Sequence, residues 1–226
     1  MFYINNKIIQ FKNHVIKSVT NNVNPLNLPS NTIRVKFASD YTPTMGDTQT
    51  LVDSTNNVWD IYKQSNDWSG LFNINGNSPF NELLVVLGAN TSNVTNMTYL
   101  FRYCAALTSV SLFDLSNLTN MTAMFARCKS LTTVPLFNTS KVTKMESALF
   151  ECSSLTSVPL FNTSNVTNIR YMCCNCRNVQ SGALALYQQA STQANPPISH
   201  EKTFTSCGAI TQTGKAELEQ IPDDWK

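Results

Sequence analysis

The chain has 226 residues and a mass of 25.2 kDa, room for one long domain or two short ones with a sizeable core. Charged residues make up only 13%, about half the usual share, and Asn, Thr and Ser fill roughly a third of the sequence instead. A net charge of +2 without a Lys/Arg cluster argues against nucleic acid. No stretch approaches the roughly 18–20 apolar residues that cross a bilayer, and having only His14 and His200 argues against a histidine-rich metal enzyme.

Residues 1–30 read as an arm and linker. Phe2, Tyr3, Ile4, Ile8, Ile9 and Phe11 are too apolar for a free tail, and the segment is too short for a core. An arm of this kind is suited to ordering against a partner's surface. Asn5, Asn6 and Lys7 interrupt any signal-peptide core, and the first cysteine is Cys104, so a Sec signal is not expected. Asn21–Ser30, with Pro25 and Pro29, reads as the linker. Residues 31–80 contain the alternating run Thr32–Phe37, then Asn57–Tyr62, Trp68 and Phe72. They predict a small β-rich domain that caps the segment from residue 81 onward.

Residues 81–178 are governed by a repeat. Cys104, Cys128, Cys152 and Cys176 stand 24 residues apart, and so do Val94, Leu118, Val142 and Val166. Met97, Met121, Met145 and Ile169 keep the same step, as do Leu107, Leu131, Leu155 and Val179. Within a unit, Leu131-x-x-Val134-x-Leu136 predicts a short strand with Val and Leu on one inward face, and its counterparts begin at Leu107 and Leu155. Pro135 and Pro159 limit those strands to three or four residues. The spacing Val94, Met97, Phe101, Cys104 then predicts a helical return, with Ser92, Ser116, Ser140 and Ser164 as N-caps. Such a unit buries its apolar side only against copies of itself. The expected fold is therefore an α/β repeat solenoid with Leu107, Leu131, Leu155 and the cysteines Cys104, Cys128, Cys152 and Cys176 as reduced core ladders. Phe113, Phe137 and Phe161 form another column, read as core or, if exposed, as an aromatic stripe.

Residues 179–226 read as a last, distorted unit and a helical C-terminal cap. Ser181-Gly182 opens a helix over Ala183–Ala190, Pro196-Pro197 ends that segment, and Phe204-x-x-Cys207 repeats the earlier Phe/Cys spacing.

The unit L-T-S-V-P-L-F-N-T-S-x-V-T-x-M, followed by M-F-x-x-C-x-S-L, resembles the leucine-rich repeat of BspA-like bacterial surface proteins. The likeness is fullest over Leu107–Cys176. It departs from the common leucine-rich pattern where Thr91, Leu115, Thr139 and Thr163 replace the Asn/Cys ladder, with Asn90, Asp114, Asn138 and Asn162 one residue earlier. The stretches LPSNTIRVKF and SGALALYQQAS, together with the repeat, also resemble structural fibre or tail proteins of phages that infect gut bacteria.

Chemistry-bearing motifs are sparse. Cys173-Cys174-x-Cys176 with Cys207 and His200 lacks the paired spacing of a zinc site. Gly208 to Lys215 has one residue too many for a phosphate loop, and Ala216 follows the lysine. No nucleophile motif accompanies either histidine, and neither enzyme activity, a metal nor a cofactor is expected. Asn-x-Ser/Thr sequons such as Asn93-Val-Thr95, Asn117-Leu-Thr119 and Asn165-Val-Thr167 follow from the repeat itself. The outward strand positions Thr108, Ser109, Thr132, Thr133, Thr156 and Ser157 would form a neutral, hydroxyl-rich face for weak multivalent contact with a surface glycan or protein. The phage resemblance and the missing signal imply a virion protein assembled in the bacterial cytoplasm, a dimer or trimer anchored by its arm to a capsid or tail protein. The alternative is a secreted BspA-like adhesin at the bacterial cell surface; no membrane partner is expected in either case.

Overall fold

The structure, a computed structural model, describes residues 2–4, 7–9, 26–73, 76 and 78–226. Strands β1 (Phe2–Ile4) and β2 (Lys7–Ile9) pair antiparallel as a short hairpin. The side chains of this arm, Phe11, and the predicted linker up to Pro25 lie outside the described residues.

The main sheet has five strands: β3 (Thr32–Phe37), β4 (Thr48–Asp53), β5 (Val58–Tyr62), β6 (Leu83–Asn90) and β7 (Ser109–Val110). Their order is β4-β5-β3-β6-β7, antiparallel except for the last pair. In β3 the predicted alternation is direct: Ile33, Val35 and Phe37 are buried, while Arg34 reaches across to Asp60 on β5 at 2.7 Å. The sheet runs across residue 80. Strand β6, in the repeat region, pairs with β3 on one side and with β7 on the other, and the β6–β7 register sets Val85 opposite Ser109 and Val86 opposite Val110. That offset is the 24-residue step of the sequence.

From β7 onward the named strands end, which differs from the strand-and-helix unit expected for an α/β solenoid. Later units keep the step through isolated parallel bridges, Asn96 to Asn120 to Lys144 to Asn168, and Ser157 to Ser181. Proline accounts for much of the loss. Pro135 and Pro159 donate no N–H, and each instead accepts from the phenylalanine two residues on, Phe137 at 3.0 Å and Phe161 at 2.9 Å. The chain turns there, so the side-chain alternation breaks. Phe113, Phe137 and Phe161 fill the core, and Leu112, Leu136 and Leu160, expected inward, face solvent at 45%, 61% and 45% exposure.

The predicted helical returns are not helices. Apart from β7, the chain between Thr91 and Gly182 runs through successive turns joined by extended segments, with left-handed residues at Tyr99, Ala123, Ser147 and Tyr171 and again at Tyr103, Arg127, Glu151 and Asn175. In each turn arc, alternate N–H groups stay within the arc, as Leu100 N to Met97 O, while the intervening ones donate to the next unit. Met97, Tyr99, Phe101 and Tyr103 donate to Asn120, Thr122, Met124 and Ala126 at 2.8–3.1 Å, and the same four rungs recur at the two following steps. Every second amide is thereby satisfied by a neighbour rather than left orphaned in the interior. Three of the four serines predicted as N-caps instead donate their own N–H groups to the preceding Asx column, Ser116 to Asp114 at 2.8 Å, Ser140 to Asn138 at 3.2 Å and Ser164 to Asn162 at 2.9 Å, and Ser92 donates its hydroxyl to Asn90 at 3.1 Å.

The C-terminal segment carries α1 (Ala183–Thr192) and α2 (Gln212–Glu219). Helix α1 has no side-chain N-cap of its own. The Glu217 carboxylate on α2 takes that place, accepting from Gly182 N at 3.3 Å and Leu184 N at 3.1 Å. Gly182 is in a left-handed conformation, φ 94°, and a Cβ there would lie 2.3 Å from the Val158 carbonyl oxygen. Trp225 closes the end, stacked on His200 with ring centroids 4.3 Å apart and lying flat over Phe204. One continuous apolar cluster extends from Ile33 to Trp225.

Candidate functional site

Two faces of the repeat region present side chains to solvent in register. The first runs along the leucine segment of each unit. Leu107, Leu131 and Leu155 lie fully buried beneath it, and Thr108, Ser109, Thr132 and Thr133 are exposed, with Thr156 and Ser157 half-buried. The hydroxyls expected to be free are partly engaged: Thr108 donates to the Leu84 carbonyl and Thr156 to the Thr132 carbonyl, each at 3.1 Å. What this face adds is the column Leu112, Leu136, Leu160, beside a groove floored by Phe113, Leu115 and Phe137. The strand alternation concealed it. In two of the three units the intervening proline, Pro135 or Pro159, was a signal that the alternation would fail, whereas Ser111 in the first unit gave none.

Threonine and asparagine columns behind this face tie neighbouring units. Thr91 donates to the Asp114 carbonyl and Thr139 to the Asn162 carbonyl. Thr119, Thr143 and Thr167 each donate to the threonine carbonyl 24 residues back, at 3.1–3.2 Å. Asn117 and Asn165, both in sequons, commit their side-chain amides to the Ser92 and Ser140 carbonyls at 2.7 Å.

The second face is formed by the turn arcs. Arg102 lies over the rings of Tyr99 and Tyr103, with its guanidinium carbon 5.0 and 4.9 Å from their centroids. Arg127 lies over Tyr103 and Phe150 and pairs with Glu151 at 3.1 Å, and Arg170 lies over Tyr171 and pairs with Glu201 at 3.0 Å. Sequence reasoning passed over these residues. Their type varies from unit to unit, so no column of identical letters marks them.

The cysteines line the interior. Cys104, Cys128, Cys152 and Cys176 donate their thiols to the carbonyls of Phe72, Phe101, Phe125 and Leu149 at 3.7, 3.1, 3.1 and 3.0 Å. Burial pushes all four thiols well above their ordinary value. Cys173 and Cys207 are pushed up by the same cause, and all seven cysteines are free thiols. Among the described residues no group of three or more His, Cys, Asp or Glu side chains is placed to hold a metal ion. His14 lies outside those residues. The two glycines that superficially suggest a phosphate loop pack backbone to backbone, Gly208 against Gly214, while Thr211 caps α2.

The repeats keep one register, and their solvent-facing columns run along open faces. The chain belongs to the family described as Mycoplasma protein of unknown function, DUF285, whose model matches residues 66–187. No curated protein matches the sequence. Among solved structures it is similar to a leucine rich repeat protein of T. pallidum, at 14% identity and a TM-score of 0.33. That match covers 55% of this chain and 64% of the other, less than two thirds of its length.

Proposed function

We propose that the chain is a non-enzymatic binding module displayed at a bacterial cell surface, with its repeats arranged as a leucine-rich-repeat-like solenoid. The family match spans the whole repeat region, and the unit resembles those of BspA-like surface proteins. Together they favour the cell-surface reading over a virion fibre. The observation that carries it is the column Leu112, Leu136, Leu160, exposed at the same position of three successive units. Single exposed leucines are ordinary, but an ordered row beside a groove marks a contact surface. Thr132, Thr133 and Ser109 flank the row without charge, so each unit offers a small apolar and hydroxyl contact to a protein or glycan. Repetition of a weak contact raises the total affinity without new chemistry.

Protease treatment of intact cells that make the protein tests this. The repeats should be removed while a cytoplasmic control survives. Protection until the cells are broken, or migration with phage particles in a density gradient, would overturn it.

A further inference from the structure

The turn face carries a notch of about 240 Å³ that spans three units. Its cause is a change of side-chain size at fixed register. The left-handed position holds Tyr99, then Ala123 and Ser147, then Tyr171. Three residues on, the sequence reads Arg102, Ala126, Phe150. Ala123 and Ala126 form a buried floor where neighbouring units raise tyrosine, arginine and phenylalanine, so the small residues open a slot with aromatic walls.

The charges around the slot are unequal. Arg127 is spent: it pairs with Glu151 and donates to the Tyr103 hydroxyl. Arg102 forms no ion pair among the described residues, yet its guanidinium is held between the rings of Tyr99 and Tyr103. A pre-positioned guanidinium whose N–H groups have no partner among the described residues is matched to a carboxylate. Glu146 and Ser147 border the slot from the third unit, and Glu146 accepts from Asn168 at 2.9 Å. This end offers acceptors for hydroxyl groups.

We propose that this notch binds one ring of an acidic sugar, with its carboxylate on Arg102, its apolar face against an aromatic wall and its hydroxyls toward Glu146 and Ser147. The volume falls below the roughly 300–1,000 Å³ typical of drug-sized sites, which limits the occupant to a single ring. A phosphate would draw on several cations, and among the described residues lining the notch Arg102 is the one cation without a carboxylate beside it. The site is independent of the leucine column, and the proposal stands or falls apart from the cell-surface reading.

The test is NMR titration of the full chain with methyl β-D-glucuronide, methyl β-D-glucoside and acetate. The glucuronide should bind with Kd on the order of 1 mM and shift the resonances of Ala123, Ala126 and Phe150. The glucoside should bind at least about fivefold more weakly, and acetate should not saturate the same shifts. Arg102→Gln should weaken the glucuronide about tenfold and leave the glucoside unchanged. Ala123→Tyr should abolish both, since Tyr99 and Tyr171 already occupy this left-handed position in other units. An unchanged melting profile would confirm that these variants fold. Equal shifts from acetate, equal binding of the glucoside, or saturation unaffected by both substitutions would overturn the proposal, as would no binding.

Discussion

The thiol of Cys152 lies 3.1 Å from the carbonyl oxygen of Phe125, a residue of the preceding unit. Cys128 and Phe101 repeat the relationship at the same distance. The cysteine column is therefore a hydrogen-bonded seam, and desolvation holds it in the protonated form.

This seam gives stability a defined pH dependence. In the unfolded chain a thiol ionises near about pH 8.5, whereas the buried thiols of the folded chain ionise well above their ordinary value. The folded state binds more protons once the unfolded thiols begin to ionise. The contribution is fully present below the unfolded value and is lost as pH rises toward the folded one. Urea midpoints should be constant from about pH 6 to 8 and fall steadily above about pH 8.5. A midpoint that rises into that range would contradict the assignment.

The same burial makes the thiols inert. Native protein should take up little iodoacetamide over an hour near neutral pH, and all seven cysteines should react after denaturation. Mass spectrometry counts the adducts. Rapid native modification of Cys128 or Cys152 would show that the seam is open.

Much of this was legible in the sequence, and the exceptions have physical causes. The 24-residue columns of Cys, Leu and Met predicted which side chains point inward, because those positions meet copies of themselves. The helical returns fail because residues 94, 97, 101 and 104 point inward from successive turns just as they would from a helix. The turns depend on left-handed residues, and these positions hold Tyr, Ala, Ser, Arg and Glu, with Asn only at Asn175, rather than the glycine that signals such a conformation. The Arg102 notch was hidden for a related reason: it arises from differences between units, whereas a repeat is recognised by likeness.

Those left-handed positions can be tested directly. Ser147 has φ 56°. Ser147→Val should destabilise the protein by about 1–2 kcal/mol, because a branched Cβ tolerates this conformation poorly. Ser147→Gly should stay within about 0.5 kcal/mol of the parent, since relief of strain offsets the added chain entropy. Thermal denaturation of both variants measures the contrast, and equal losses would argue for an ordinary helix.

The C-terminal closure depends on Glu217, which serves as an N-cap from outside α1. Glu217→Ala should cost about 1 kcal/mol, within the range of a lost helix cap. Gly182→Ala should cost more, because its Cβ meets the Val158 carbonyl oxygen. Chemical denaturation ranks the two, and a Gly182 variant as stable as the parent would contradict this geometry.

In each unit one leucine builds the core while another is turned to solvent. Denaturation of Leu131→Ala and Leu136→Ala tests it most directly. Leu131 is fully buried and Leu136 is 61% exposed. The first substitution should cost about 2–5 kcal/mol and the second less than about 0.5 kcal/mol. A loss at Leu136 equal to that at Leu131 would place both in the core and remove the exposed leucine column on which the proposed contact rests.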